Sequence, residues 1–185
     1  MQRGLGLSRP IPGSIANLKI VKQHLSFKTG STQQGADQGS SRILHILLFE
    51  DHDDTRRAME LFLEALGHRA HAAIGVQQLD LAAKSHIKVD LLVSDVGLPD
   101  GNGWDLLRRL ERMGRRPTLA IAISAWGGET LVAESERAGF LMHIVKPISP
   151  EVLEVALLQA AKVVYAKKNQ LNRSSTPQKC KCLVN

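Results

Sequence analysis

Leu91-Leu92-Val93-Ser94-Asp95-Val96-Gly97-Leu98-Pro99-Asp100-Gly101-Asn102-Gly103 runs an apolar segment straight into one aspartate and then into a loop of Gly, Pro and Asp. Leu91 to Val93 read as a short strand buried on both faces, and Pro99 with the Gly-Asn-Gly turn ends it. In an open α/β sheet, ligands and chemistry gather outside the carboxyl ends of the strands. Asp95 stands at such an end.

The flanking sequence repeats the pattern. Ile43 to Phe49 lean towards strand and stop at Glu50-Asp51-His52-Asp53-Asp54, where Asp53 or Asp54 is placed to cap a helix over about Thr55 to Leu66. That helix is expected to bury Ala58, Leu61, Phe62 and Ala65, and Gly67 stops it. Arg69 to Ala73 form a second strand, followed by a helix over Val76 to Lys84. After the Asp95 loop come a helix over Trp104 to Met113, a strand over Thr118 to Ser124, a helix over Glu129 to Ala138 and a strand over Phe140 to Val145. Ser149 and Pro150 open the last helix, whose inner stripe is Leu153, Ala156, Leu157, Ala160 and Val164. Trp126, beside Gly127-Gly128, is expected to be partly in the core.

Five alternations of strand and helix with short connections imply a parallel sheet covered on both faces. The expected fold is α/β: a doubly wound five-stranded parallel sheet, flavodoxin-like (βα)5, with strand order 2-1-3-4-5. The domain spans 42–167. Residues 1–41 read as a flexible extension and linker, with weak helical spacing over Ile15 to Phe27, and 168–185 as a flexible basic tail.

Charge supports this division. The net charge of the 185 residues is +6, but residues 1–42 carry +5, 43–167 carry −3 and 168–185 carry +4. The basic excess sits at the ends, so a folded nucleic-acid-binding face is poorly supported. No run reaches the ~18 apolar residues of a membrane span, and no secretory signal is evident. Cys180 and Cys182 lack a partner pair or nearby His to complete a zinc site, and a reducing cytoplasm is the expected location.

The strand ends bring together Glu50 and Asp51, Asp95, Ser124 and Lys146. Clustered carboxylates repel unless a cation intervenes, and a hard divalent ion with oxygen ligands points to Mg²⁺. A carboxylate beside a metal, a lysine and a hydroxyl is equipped to accept a phosphoryl group: the carboxylate attacks while the cations neutralise the transferring oxygens.

Glu50-Asp51, Ser94 to Pro99, Ile123-Ser124-Ala125 and Val145-Lys146-Pro147 resemble, in order, the motifs of the response-regulator receiver domain, especially receivers attached to hybrid sensor histidine kinases. The resemblance covers roughly residues 43–165. It implies that Asp95 accepts phosphate from a phosphohistidine and that Asp51 ligates Mg²⁺. Glu50 holds the metal directly or through water, and Gly97 contributes its backbone carbonyl. Ser124 and Lys146 bind the phosphoryl oxygens and start the switch. Two positions depart from the family pattern. Glu50 stands where many members have Asp, and His143 stands where many have Tyr or Phe. If His143 serves as the switch residue, its ionisation adds a pH sensitivity.

The implied partners are a histidine kinase or histidine-phosphotransfer protein and a downstream protein effector. No DNA-binding domain fits after Lys167, and a homodimer stays open. Residues 1–41, with Gly4-Leu5-Gly6-Leu7 and Leu18 to His24, faintly resemble the end of a kinase catalytic domain, as if the chain were the receiver end of a divided hybrid kinase. One alternative is an interaction receiver that docks without phosphorylation. A haloacid-dehalogenase-type phosphatase would want an acid two residues after the nucleophile, where Gly97 stands.

Overall fold

The computed structural model describes residues 18–20, 43–79 and 88–174. Its elements are β1 (Leu18–Ile20), β2 (His45–Phe49), α1 (Asp53–Ala65), β3 (Arg69–Ala73), a 3-10 turn (Val76–Gln78), β4 (Leu91–Asp95), β5 (Gly97–Leu98) and β6 (Gly101–Asn102). There follow α2 (Gly103–Arg112), β7 (Leu119–Ser124), α3 (Glu129–Ala138), β8 (Met142–Val145) and α4 (Pro150–Ser174).

The parallel strands lie in the order β3-β2-β4-β7-β8, which is 2-1-3-4-5 in chain order. β4 is central and buried along its whole length, as a continuous apolar run requires when helices cover both faces. One layer joins Ile46, Leu48, Val93, Ile121 and Ile144 to α1 and α4. The other joins Leu47, Phe49, Leu92 and Ala122 to α2 and α3. The alternation along each strand fixes the register, and so fixes which residues reach the carboxyl edge.

Several boundaries differ from the sequence expectation. α1 begins at Asp53, with His52 at its N-cap, rather than after an Asp53 or Asp54 cap. Its buried residues are Met59 and Leu63; Ala58, Leu61 and Ala65 are exposed, and Phe62 is half-buried. The helix carries more apolar residues than one face needs, and Ala58 and Phe62 line a groove instead. Trp126 is 76% exposed, so it is surface, not core. The helix expected over Val76 to Lys84 starts as the 3-10 turn, and its remainder lies outside the described residues.

α4 opens as expected at Pro150, with Ser149 Oγ accepting from Val152 N at 3.4 Å, and its inner stripe is buried. It continues past the expected boundary at Lys167 to Ser174. Lys168 Nζ lies 2.7 Å from the buried carboxylate of Asp90, and Tyr165 Oη donates to Ile43 O at 2.8 Å. At the opposite end of the chain, Leu18–Ile20 form neither linker nor helix: β1 pairs antiparallel with the outer edge of β8. Cys180 and Cys182 lie outside the described residues.

Candidate functional site

Four loops at the carboxyl edge of the sheet supply the site. Glu50 follows β2 and is fully buried, and Asp51 next to it is exposed. Asp95 closes β4 at 6% exposure, Ser124 closes β7 at 5%, and Lys146 follows β8 half-buried. Lys146 bridges the two buried acids: its Nζ is 2.5 Å from Asp95 Oδ2 and 2.8 Å from Glu50 Oε2. Burial alone would lower the lysine pKa from its ordinary 10.5, but its hydrogen bonds and charge interactions with Asp95 and Glu50 outweigh this and raise it. Lys146 is therefore a fixed cation at neutral pH.

Carboxylate oxygens of Glu50, Asp51 and Asp95 all lie within 4.8 Å of one another. One buried pair and one exposed acid suit a hard cation that retains waters on its open side, and the donor set fits Mg²⁺. Gly97 is brought to the same point by its N–H, which donates to Asp95 Oδ1 at 2.8 Å. This bond fixes the carboxylate rotamer and leaves Oδ2 to the lysine.

The scaffold around Asp95 is tight. Ser94 Oγ donates to Asp95 O at 2.8 Å, and Val96 N donates to Ile123 O. Gly103, the first residue of α2, lies so close that a Cβ there would fall 2.1 Å from Asp95 O. Only glycine allows this approach. Asn102 caps α2 by accepting from Trp104 N at 2.8 Å. Ser124 is held at the edge by its own loop: its Oγ accepts from Trp126 N at 3.1 Å, and its carbonyl accepts from Lys146 N at 2.8 Å.

His143 is separate from this cluster. It sits inside the sheet–helix layer at 0% exposure, with Nδ1 2.8 Å from Ser135 Oγ on α3. Ser135 Oγ also accepts from Trp104 Nε1 at 2.9 Å.

The structure thus brings Glu50, Asp51, Asp95, Gly97, Ser124 and Lys146 to one edge, with His143 one layer below. Sequence reasoning missed three supporting residues. Arg56 donates to the carbonyls of Glu50 at 3.1 Å and Asp51 at 3.4 Å, and pairs with Asp53. Asp100, read only as a turn residue, accepts from Val76 N at 2.8 Å and Gln77 N at 2.7 Å, which ties the Asp95 loop to the turn after β3. The backbone N–H of Gln77, with that of Val76, holds its carboxyl below the ordinary 3.8. Ser135 offers no sequence signal beyond its place in a polar helix.

Comparison with known proteins identifies the family. A family model described as the response regulator receiver domain matches residues 46–158. The transcriptional regulatory protein AfsQ1 of Streptomyces coelicolor is 35% identical over 113 residues, covering 60% of this chain and 48% of that protein. The chemotaxis protein CheY homolog of Campylobacter jejuni is 30% identical over 117 residues, 62% of this chain and 89% of that protein. The sensor histidine kinase RcsC of Salmonella typhimurium is 27% identical over 164 residues, 86% of this chain and 16% of that protein. The chain therefore spans about half of AfsQ1 and about a sixth of RcsC. Among solved structures, CheY4 of Vibrio cholerae aligns with a TM-score of 0.59 at 21% identity, covering 64% of this chain and 99% of that one. The receiver domain of a putative Luxo repressor protein from Vibrio parahaemolyticus gives 0.61 at 19%, covering 69% and 96%. These two likenesses concern the fold. The chain belongs to the response regulator receiver domain family of two-component signalling proteins.

Proposed function

We propose that the chain is a phosphoacceptor module: Asp95 takes a phosphoryl group from a phosphohistidine of a histidine kinase or histidine-phosphotransfer protein. The observation that carries this reading is the bridge of Lys146 between Glu50 and Asp95, with Asp51 completing an acidic triplet at the sheet edge. An Asp95 carboxylate oxygen attacks phosphorus as the N–P bond of the donor breaks, and the imidazole leaves with the bonding pair. Lys146 neutralises charge growing on the phosphoryl oxygens, and Ser124 Oγ donates to one of them. Glu50, Asp51, Asp95 and the Gly97 carbonyl would hold Mg²⁺, which supplies further charge neutralisation when bound. Slow attack of water on phosphorus returns the free carboxylate, so the module turns over only its own modification and is a signalling device rather than an enzyme.

An apolar groove of about 820 Å³ runs between α1 and the loop after β8, lined by Ala58, Met59, Phe62, Ile148 and Leu153, with Lys146 also in its wall. It fits the apolar face of a donor helix that presents its histidine to Asp95. Phosphate adds charge at the edge and draws on Ser124 and Lys146, biasing a pre-existing equilibrium of the face formed by α3, β8 and α4, with His143 as its internal reporter. Among the described residues no helix is long and apolar enough to cross a membrane. A phosphohistidine donor as partner favours a cytoplasmic setting for the module. The RcsC likeness covers 86% of the chain and so runs into residues before Ile43, which supports a hybrid-kinase origin for the N-terminal extension.

The test is incubation of the full chain with phosphoramidate and Mg²⁺, followed by intact mass. One phosphoryl group per chain is expected, lost with EDTA and absent in Asp95→Asn. An unmodified wild type, or equal labelling of the variant, sinks the reading.

A further inference from the structure

The hydrogen bonds of Trp104, Ser135 and His143 join three elements into one chain. Trp104 is the second residue of α2, and its neighbour Gly103 rests against the carbonyl of Asp95 while donating its N–H to Val96 O at 3.0 Å. Any shift of the Asp95 main chain is therefore passed to the start of α2, because two backbones in contact cannot move independently. From there the indole N–H reaches Ser135 on α3, and Ser135 reaches His143 on β8. Three residues beyond His143, Lys146 returns to the Asp95 carboxylate. The path begins at the main chain of Asp95 and closes on its side chain.

The proton inventory of this chain gives it a direction. An indole N–H only donates, so Ser135 Oγ accepts from Trp104. The hydroxyl keeps a single proton, and His143 Nδ1 is the partner on which that proton finds an acceptor. The arrangement that uses both Ser135 contacts in this way leaves Nδ1 unprotonated and puts the proton of a neutral ring on Nε2, which is buried. Both Ser135 and His143 are 0% exposed, so water does not replace either partner cheaply.

We propose that Ser135 is a positioning residue that sets the tautomer and inward pose of His143, and that Trp104-Ser135-His143 couples occupancy of Asp95 to β8. The coupling rests on the phosphoacceptor reading; the tautomer assignment stands without it. Cutting the chain at Ser135 leaves phosphoryl uptake intact, because Ser135 touches none of the groups at the sheet edge, and disconnects β8 from it.

The experiment is nitrogen NMR of the histidine rings in the full chain, with and without beryllofluoride and Mg²⁺ as a phosphoryl mimic. Wild type is expected to show His143 with an acceptor-type Nδ1 and a protonated Nε2. Ser135→Ala shifts Nδ1 away from the hydrogen-bonded position, Ser135→Thr restores it, and Trp104→Phe, which frees the hydroxyl to rotate, shifts it partway. The mimic moves the His143 signals in wild type and leaves them still in Ser135→Ala, while the Asp95 and Gly97 amides respond in both. A protonated Nδ1 in wild type, or a ring spectrum unchanged by Ser135→Ala, overturns the assignment. Amides at Asp95 that respond in wild type while His143 does not overturn the coupling alone. If the Asp95 amides themselves ignore the mimic, the phosphoacceptor reading fails, and the coupling with it.

Discussion

Replacing Lys146 with methionine keeps the length of the side chain and removes the ammonium that bridges Glu50 and Asp95. The two carboxylate side chains are 1% and 9% exposed, and the lysine is 25% exposed. At separations of 2.8 and 2.5 Å, each contact is worth about 6 kcal/mol of gross Coulomb energy at an effective dielectric of about 20. Dehydrating the ammonium offsets much of this, and a buried pair broken from one side leaves a net cost of about 3–5 kcal/mol. Lys146→Met is therefore expected to lower stability by that amount at pH 7, read as a fall in the urea midpoint at unchanged slope. The sign has a further consequence. Without the lysine the acidic triplet gains more from a cation, so millimolar Mg²⁺ stabilises the variant more than wild type. Adding Asp95→Asn to Lys146→Met recovers part of the loss, because one of the stranded charges is gone. A Lys146→Met midpoint within about 0.5 kcal/mol of wild type in EDTA, with no extra response to Mg²⁺, would refute this electrostatic account.

Other consequences follow from the scaffold. Gly103→Ala drives a methyl group against Asp95 O and Ser94 Oγ, and the overpacking is expected to cost about 1–3 kcal/mol in urea melts and to slow phosphoryl uptake at Asp95. Lys168→Ala removes the ammonium from the Asp90 carboxylate, 1% exposed, which among the described residues then keeps the N–H of His45 at 3.2 Å; a loss of about 1–3 kcal/mol is expected, with faster amide exchange in the last turns of α4. Asp100 has a depressed folded pKa, so its contribution is present above its ordinary value of 3.8 and lost as pH falls through the lower folded value. The stability gap between wild type and Asp100→Asn is accordingly expected to stay flat from pH 7 to about pH 5 and to close in stronger acid. Lys146, with its raised pKa, behaves oppositely: its stabilisation is complete below about 10.5 and disappears only as alkaline pH passes its folded value.

Local sequence carried the architecture because the inner strands are nearly all apolar and run into residues of distinct chemistry at their carboxyl ends, while β3, Arg69-Ala-His-Ala-Ala73, is the mixed exception. Leu91 to Asp95 is the clearest case, and Val145-Lys146-Pro147 another. The helix stripes were legible where one face alone is buried, as in α4. In α1 the apolar residues exceed one face, so the pattern permits two rotations, and packing against the sheet selects Met59 and Leu63. Leu18–Ile20 show why short strands escape notice: three residues carry no periodicity, and their conformation is set by the edge of β8. Among the site residues, those at strand ends were readable because motif and position coincide. Asp100, Arg56 and Ser135 act through partners 24, 6 and 8 residues away, and no local pattern reports such partners.

The most direct test of the central claim is to find where the phosphoryl group resides. After phosphoramidate treatment with Mg²⁺, borohydride reduction converts an aspartyl phosphate to homoserine, and peptide mapping locates it. Homoserine is expected in place of Asp95 within the Leu91 to Gly103 stretch and at no other acid. Homoserine in place of Asp51, or an unreduced chain throughout, contradicts it.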